Sequence, residues 1–456
     1  MSSLETPVTL IGRPFRATGC GENVRCCYRA LKTVGLLPRV VNLDVGFLPG
    51  VANTEPGACA GCGGNVARGM GVVDKDAGKW RVWHTGCDHG QRTDQALVEE
   101  IGPALHENTA GGIDIYVING DEVSRSEVES VLGDLRACPA RRVVYPNWEL
   151  SEYPATLARQ LERFDEVWVP SVFVRDAIAK AVQKPVRVFP LSTGVRVGRF
   201  VERHHFGIPE SAYAFLFAFD LRSGVQRKNP FAVVDAFVEV VRARPAADIV
   251  LVLKAGGLHE WEKVLRNHDW LTESDGQTVR LVEAAAQAFR EELRTRTGPA
   301  GLGRIVLIGR ELSDTETKNL VRCCDCFVSL HRSEGFGRFL AEAMFLGKPV
   351  VATGYSGNRE FMNPDISCLV GFRLVPVAPG AYPFGEGQVW AEPDVGDAVS
   401  WMVRLVDNPA WGRQLGERAS RHIRTHFSYR AAGLRYVEGL RTLPVPPPNR
   451  IASIAR

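Results

Sequence analysis

The chain has 456 residues, of which 45% are hydrophobic and 23% charged, with a formal net charge of +3 at pH 7. That length exceeds one ordinary core and predicts two domains of roughly 200 residues each. The near balance of charge excludes a globally basic nucleic-acid binder, and no run reaches the roughly 18 to 20 apolar residues that span a bilayer. The start, Met-Ser-Ser-Leu-Glu-Thr-Pro, has no basic segment followed by an apolar core, so a cytoplasmic protein is expected, compatible with a peripheral place at the membrane's inner face.

In chain order, strands are expected at Val8 to Arg13, Arg39 to Leu43, Asp114 to Ile118, Val143 to Tyr145, Glu166 to Pro170 and Val186 to Pro190. Helical stretches lie between most of them, including Glu22 to Val34, Glu127 to Leu135, Pro154 to Arg163 and Val172 to Ala181. A second set begins after residue 205, with strands at Phe215 to Phe219, Ile249 to Leu253, Arg304 to Ile308, Cys326 to Leu330, Pro349 to Ala352 and Cys368 to Val370. The alternation is that of βαβ units, so the fold class is α/β with two doubly wound, Rossmann-like domains facing across a cleft. Gly194 to Glu210 reads as the linker, which gives domains at 1–200 and 201–428. Helices at Pro409 to Arg424 and Tyr429 to Arg441 close the chain across both domains, and Pro444 to Arg456 reads as a frayed tail.

Residues 50–92 interrupt the first domain. They carry Cys59-Ala-Gly-Cys62 and His84-Thr-Gly-Cys87-Asp-His89 around a turn at Lys75 to Gly78. Two ligand pairs with two-residue spacers, about twenty residues apart, have the pattern of a closed structural zinc site. Cys59, Cys62 and Cys87 with His84 or His89 would hold the ion, and the alternative is a reduced, metal-free hairpin. Asp74-Lys-Asp76 has the spacing of a catalytic metal motif but lies in that turn, where Asp-Ala-Gly ordinarily bends the chain.

Glu334 and Glu342 bracket Glu-Gly-Phe-Gly-Arg-Phe-Leu-Ala-Glu, which leaves a strand and enters a helix at Phe339 to Leu346. Glycine lets backbone approach a ligand, and a helix start offers unpaired amides to a phosphate. Glu342 can then reach a neutral polyol beside that phosphate. Arg222, Arg227 and Lys228 converge on the loop after the Phe215 to Phe219 strand. Such a pair can hold a diphosphate and stabilise it as it leaves, although a basic loop can also be merely solvated. Gly19-Cys20-Gly21 opens the first helix and either lines a sugar site or simply makes a tight turn.

The block Ser333 to Met344, with Gly347-Lys-Pro-Val-Val-Ala-Thr-Gly354 and Ser356-Gly-Asn-Arg-Glu-Phe361, resembles the E-x7-E donor region of family 4 retaining glycosyltransferases. Tyr145-Pro-Asn-Trp-Glu-Leu150 and Asp165-Glu-Val-Trp-Val-Pro-Ser171 resemble that family's N-terminal domain, more weakly. The resemblance implies a GT-B fold and retaining transfer of a sugar from a UDP-, GDP- or other nucleoside diphosphate sugar to a saccharide or lipid-linked acceptor, in bacterial surface or exopolysaccharide assembly. It also implies that no catalytic metal is used. By position, Arg227 and Lys228 neutralise the diphosphate, Glu334 contacts the donor sugar, Glu342 binds the ribose, and Gly335, Phe336 and Gly337 lie along sugar and phosphate. Arg332, just ahead of Glu334, joins the donor site, while His331 is expected to pack. Gly19 and Gly21 face the donor loop, and Asp121 or Glu149 would serve the acceptor.

Two departures stand out. Arg338 and Phe339 occupy positions where the family usually has a small apolar residue and proline, and the first domain has Asn119-Gly-Asp-Glu122 in place of a clear catalytic histidine segment. Rival readings keep the fold but make the chain a sugar-nucleotide epimerase, a phosphorylase or a non-catalytic scaffold.

Overall fold

The computed structural model describes residues 6–16, 19–44, 56–59, 64–66, 71–76, 79–84, 95–106, 112–134, 140–197, 199–256, 287–298, 303–310 and 312–443. Within them the chain builds β1 (Val8–Gly12), β2 (Arg39–Asn42), β3 (Gly57–Ala58), β4 (Asn65–Val66), β5 (Gly71–Asp76), β6 (Lys79–His84), β7 (Ile113–Tyr116), β8 (Arg141–Val144), β9 (Glu166–Val169) and β10 (Val186–Val188). It continues with β11 (Tyr213–Asp220), β12 (Ile249–Gly256), β13 (Ile305–Ile308), β14 (Cys326–Ser329), β15 (Val350–Thr353), β16 (Cys368–Val370), β17 (Phe372–Pro376) and β18 (Val389–Pro393).

Two six-stranded parallel sheets carry the molecule, ordered β10-β9-β8-β7-β1-β2 and β13-β12-β11-β14-β15-β16. Strands such as β11, with Ala214 to Phe219 all buried, read as continuous apolar runs because helices cover both faces. In each sheet the winding direction reverses once, between β1 and β7 and between β11 and β14. Ligands of open α/β sheets bind beyond the carboxyl ends of strands at such reversals. Loops following β1, β7, β11 and β14 are therefore the places to look for chemistry.

All twelve strands expected in the two sheets are present, with no end shifted by more than three residues. β8 starts earlier than its apolar pattern, at Arg141, because parallel pairing with β7 runs through Arg141 and Arg142 regardless of their polarity. The β17–β18 hairpin has no counterpart in the pattern reading. It is rich in proline and glycine, and β17 leaves Phe372 and Leu374 exposed, so no alternation marks it as a strand pair.

The closing helices join the two halves. Tyr429–Arg441 lies on Gly19–Thr33 of the first half, while Pro409–His426 lies on Arg338–Phe345 of the second. Tyr436 is fully buried beside Trp168, with ring centroids 5.8 Å apart. Among the described residues no helix is long and apolar enough to cross a membrane.

The insert forms the β3–β4 and β5–β6 hairpins, with Asp74 and Asp76 on β5. Cys62, Cys87, His89 and the side chain of His84 lie outside the described residues, as does the tail from 444 onward. Cys59 is buried, and its amide donates to the carbonyl of Gly64 at 2.8 Å.

Candidate functional site

The reversal in the second sheet gathers Arg227, Lys228 and Glu334. After β11, Gly224 (φ +83°) turns the chain into the short helix Val225–Lys228, and Asn229 (φ +54°) passes it to Pro230–Ala243. The amide of Arg332 donates to the Arg227 carbonyl at 2.8 Å and Asn229 Nδ2 donates to the Leu330 carbonyl at 2.9 Å, so the loop after β11 is sewn to the loop after β14.

Arg227 is 4% exposed. Its Nη1 donates to the Ser333 carbonyl and its Nη2 to the Ser223 carbonyl, both at 2.9 Å, and Nη1 lies 3.4 Å from Glu334 Oε2. Arg227 Nε has no hydrogen-bond partner among the described residues, nor does Ser333 Oγ. Lys228 Nζ pairs with Glu334 Oε1. Burial would raise the Glu334 pKa, but Lys228 and Arg227 outweigh it and hold the carboxyl at about 2. Lys228 is pulled below the usual lysine value by burial, against the opposing field of Glu334. A buried ammonium in that condition gains from further negative charge, and a diphosphate would supply it.

The glycine loop is wedged between the two halves. A Cβ on Gly335 would come within 2.7 Å of the Trp148 carbonyl oxygen, and the Gly335 carbonyl accepts from Ser171 Oγ at 2.7 Å. Ser356 Oγ accepts from the Glu334 amide at 2.8 Å. Phe336 turns into the core against Phe361, with centroids 4.9 Å apart, so its side chain anchors the loop. Gly337 caps the helix Arg338–Phe345.

Glu342, inside that helix, is held apart from Glu334 in a second charged group. It is buried and its carboxylate makes no hydrogen bond or ion pair among the described residues; burial lifts its pKa to about 7, Lys318 and Arg338 pull it down, and Glu22 and Asp314 push it up. Arg338 crosses to the first half, donating to Asn23 Oδ1 and to Cys26 Sγ, the latter at 3.2 Å. Glu22 pairs with Arg25 at 2.5 Å, and the cations around it overcome burial to hold it at about 2. The helix containing Gly19 and Gly21 is thus tied to the helix Arg338–Phe345, with Gly21 closed over by the carbonyls of Arg13 and Arg16.

Arg332 points elsewhere. It grips Glu392 on β18 at 2.7 and 3.1 Å and donates to the Gln226 carbonyl at 2.6 Å, fixing the β17–β18 hairpin. His331 packs as expected, buried between Ser329 Oγ at 3.0 Å and Asn358 Oδ1 at 3.2 Å, with burial lowering its pKa. Asp121 is half exposed and paired with Arg125 at 3.1 Å. Glu149 reaches across to Arg227 at 4.0 Å and accepts from the Tyr382 hydroxyl at 2.8 Å. Pattern reading does not reach Tyr382, because it acts through a partner far away in sequence. Among the described residues no three His, Cys, Asp or Glu side chains are grouped to hold a metal.

Residues 221–373 match the family model described as glycosyl transferases group 1. Over 76 residues the chain is 45% identical to the lipopolysaccharide core biosynthesis mannosyltransferase LpsB of Rhizobium meliloti, an alignment covering 16% of this chain and 21% of that protein. Over 139 residues it is 30% identical to the MMP alpha-(1->4)-mannosyltransferase of Mycolicibacterium hassiacum, covering 30% of this chain and 29% of that one. The chain therefore aligns with less than a third of the length of these relatives. A structure of Anabaena HepE in complex with UDP and glucose superposes with a TM-score of 0.57 at 14% identity, covering 96% of this chain and 100% of the other. The two parallel α/β sheets and this likeness identify the architecture as GT-B.

Proposed function

We propose that this chain is a retaining glycosyltransferase that moves a sugar from a nucleoside diphosphate sugar to a hydroxyl of a saccharide or lipid-linked acceptor, in assembly of a bacterial surface or extracellular polysaccharide. The observation that carries this reading is the pair of buried Arg227 and part-buried Lys228 at the β11–β14 reversal, with an unpartnered Arg227 Nε and one shared carboxylate. Such a pair suits an anion with several oxygens, and the family-model match over the same segment supports a nucleotide-sugar donor.

In this reading residues 201–428 hold the donor and residues 1–200 the acceptor. Diphosphate oxygens take Lys228 Nζ and Arg227 Nε, and Glu334 is released toward the sugar hydroxyls. Glu342 accepts from the ribose hydroxyls. The bond from C1 to the phosphate oxygen breaks as the acceptor oxygen bonds to C1 from the same face, and the acceptor proton passes to the leaving phosphate oxygen. Charge building on that leaving group is stabilised by the two cations, the kind of preorganised electrostatics whose loss typically costs about two to three orders of magnitude in rate. The mannosyltransferase relatives support a hexosyl donor, and the lipopolysaccharide assignment of one supports the surface-polysaccharide setting. The enzyme would work in the cytoplasm, at the inner face of the membrane where its acceptor is lipid-linked. The 50–92 insert is proposed as a structural zinc hairpin, checked by metal analysis of the purified protein against a Cys59→Ser variant.

The donor is tested by thermal melting with UDP, GDP, UDP-glucose and GDP-mannose. A ligand at a hundred times its Kd should stabilise the fold by about 2.7 kcal/mol. A rise with one base and its sugar nucleotide, followed by transfer with retained anomeric configuration, is the expected result; no rise with any of the four would sink the proposal.

A further inference from the structure

Tyr382 lies on the connection between β17 and β18, outside every motif that marks the donor site. Its hydroxyl donates to Glu149 Oε2 at 2.8 Å, and its ring centroid is 5.4 Å from the Arg227 guanidinium carbon. The same ring lies against Gly224, where an added Cβ would stand 3.3 Å from Tyr382 Cδ2. One side chain therefore closes over the turn that presents both cations and ties it to the first half of the molecule.

The strand connection that carries Tyr382 is braced from both sides. Gln388 Oε1 accepts from the Glu152 amide at 2.9 Å, and Gln388 Nε2 donates to the Phe384 carbonyl at 2.8 Å. Phe384 sits in the left-handed region (φ +56°) with its ring centroid 6.3 Å from that of Trp148. A bulky residue at positive φ costs energy and persists only where its surroundings fix it. On the other side, Arg332 clamps Glu392 of β18. Tyr382 is thus delivered to Arg227 by a segment whose anchors do not include the Arg227 side chain.

We propose that Tyr382 is a positioning residue for the phosphate cradle. Its ring fixes the plane of the Arg227 guanidinium, and its hydroxyl holds Glu149 at the cleft, 4.0 Å from Arg227. The inference rests on the donor reading above. A cation held over an aromatic face in a desolvated site is a stabilising contact of useful size, and its loss should loosen the guanidinium without removing its charge.

The test is calorimetric titration of wild type, Tyr382→Phe and Tyr382→Ala with UDP and with GDP, alongside melting of each protein. Tyr382→Ala should bind the preferred nucleotide about tenfold more weakly, while Tyr382→Phe, which keeps the ring, should stay within about twofold. Rescue by phenylalanine separates positioning from a general loss of packing. Wild type that binds with Tyr382→Ala unchanged overturns the Tyr382 assignment alone, and so does a phenylalanine variant as weak as the alanine one. Wild type that binds neither nucleotide overturns the donor reading and this inference with it.

Discussion

The two reversals use the same side-chain types in opposite proportions. Beyond β1 and β7, the buried guanidinium of Arg13 faces three carboxylates, Glu122, Glu127 at 2.6 Å and Asp44 at 3.2 Å, and the more exposed Arg16 and Arg125 also reach Asp44 at 2.6 Å and Glu122 at 3.5 Å. Beyond β11 and β14, two cations share Glu334, while Glu149 approaches Arg227 only to 4.0 Å. Arg13 Nε, like Arg227 Nε, makes no hydrogen bond among the described residues, but it lies 3.2 Å from Asp44 Oδ1, so the charge of this guanidinium is already answered by carboxylates and its network braces three loops. Two cations around one carboxylate have donors to spare. On the proposed function, buried charge by itself does not mark a site; the ratio of donors to acceptors does.

Lys228→Ala should have the largest effect, lowering turnover by about a hundredfold or more while the melting temperature changes little, since Arg227 still balances Glu334. Equal turnover in the variant would erase the distinction between the reversals. Arg13→Ala should do the reverse, destabilising the fold by about 3 kcal/mol in denaturant melts, with nucleotide affinity of the folded protein unchanged. A large loss of affinity in that variant would make the first reversal part of the donor site.

A third case sharpens the contrast, because Asp114 on β7 is a buried carboxylate whose oxygens make no hydrogen bond among the described residues. Burial pushes it up to about 6, against the pull of Arg142. A pKa raised in the folded state favours folding at low pH, and that advantage is lost as pH rises through about 6. Asp114→Asn should therefore stabilise the protein by about 2 kcal/mol at pH 8, with the gain shrinking toward pH 4. No pH dependence in the difference would place a partner on Asp114.

Glu342→Gln is the smallest expected change, weakening nucleotide binding about tenfold at pH 8. Because Glu342 titrates near 7, wild-type affinity should fall between pH 8 and pH 6 as the carboxyl protonates, and the glutamine variant should flatten that profile. Glu22, Lys318, Arg338 and Asp314 all face this carboxyl, so the slope is read against the glutamine variant and not in isolation.

The sheets and the cation pair were legible because they are local: apolar runs of four to eight residues for the strands, and adjacent arginine and lysine on one loop. The E-x7-E spacing identified both glutamates but could not tell that they fall into separate charged groups. That division depends on Arg338 and Lys318, which reach Glu342 from the loop end and from another helix. Arg332 was read by proximity to Glu334 along the chain, whereas its side chain is claimed by Glu392, sixty positions on. Tyr382 meets Glu149 across 233 positions, a contact that no periodicity encodes.

Calorimetric titration of wild type, Lys228→Ala and Glu127→Gln with UDP and GDP tests the contrast between the reversals most directly. One nucleotide should bind wild type and Glu127→Gln alike, and Lys228→Ala should lose about a hundredfold in affinity. Binding to Lys228→Ala at wild-type strength, or loss of binding in Glu127→Gln, would contradict the assignment of the donor site to the second reversal.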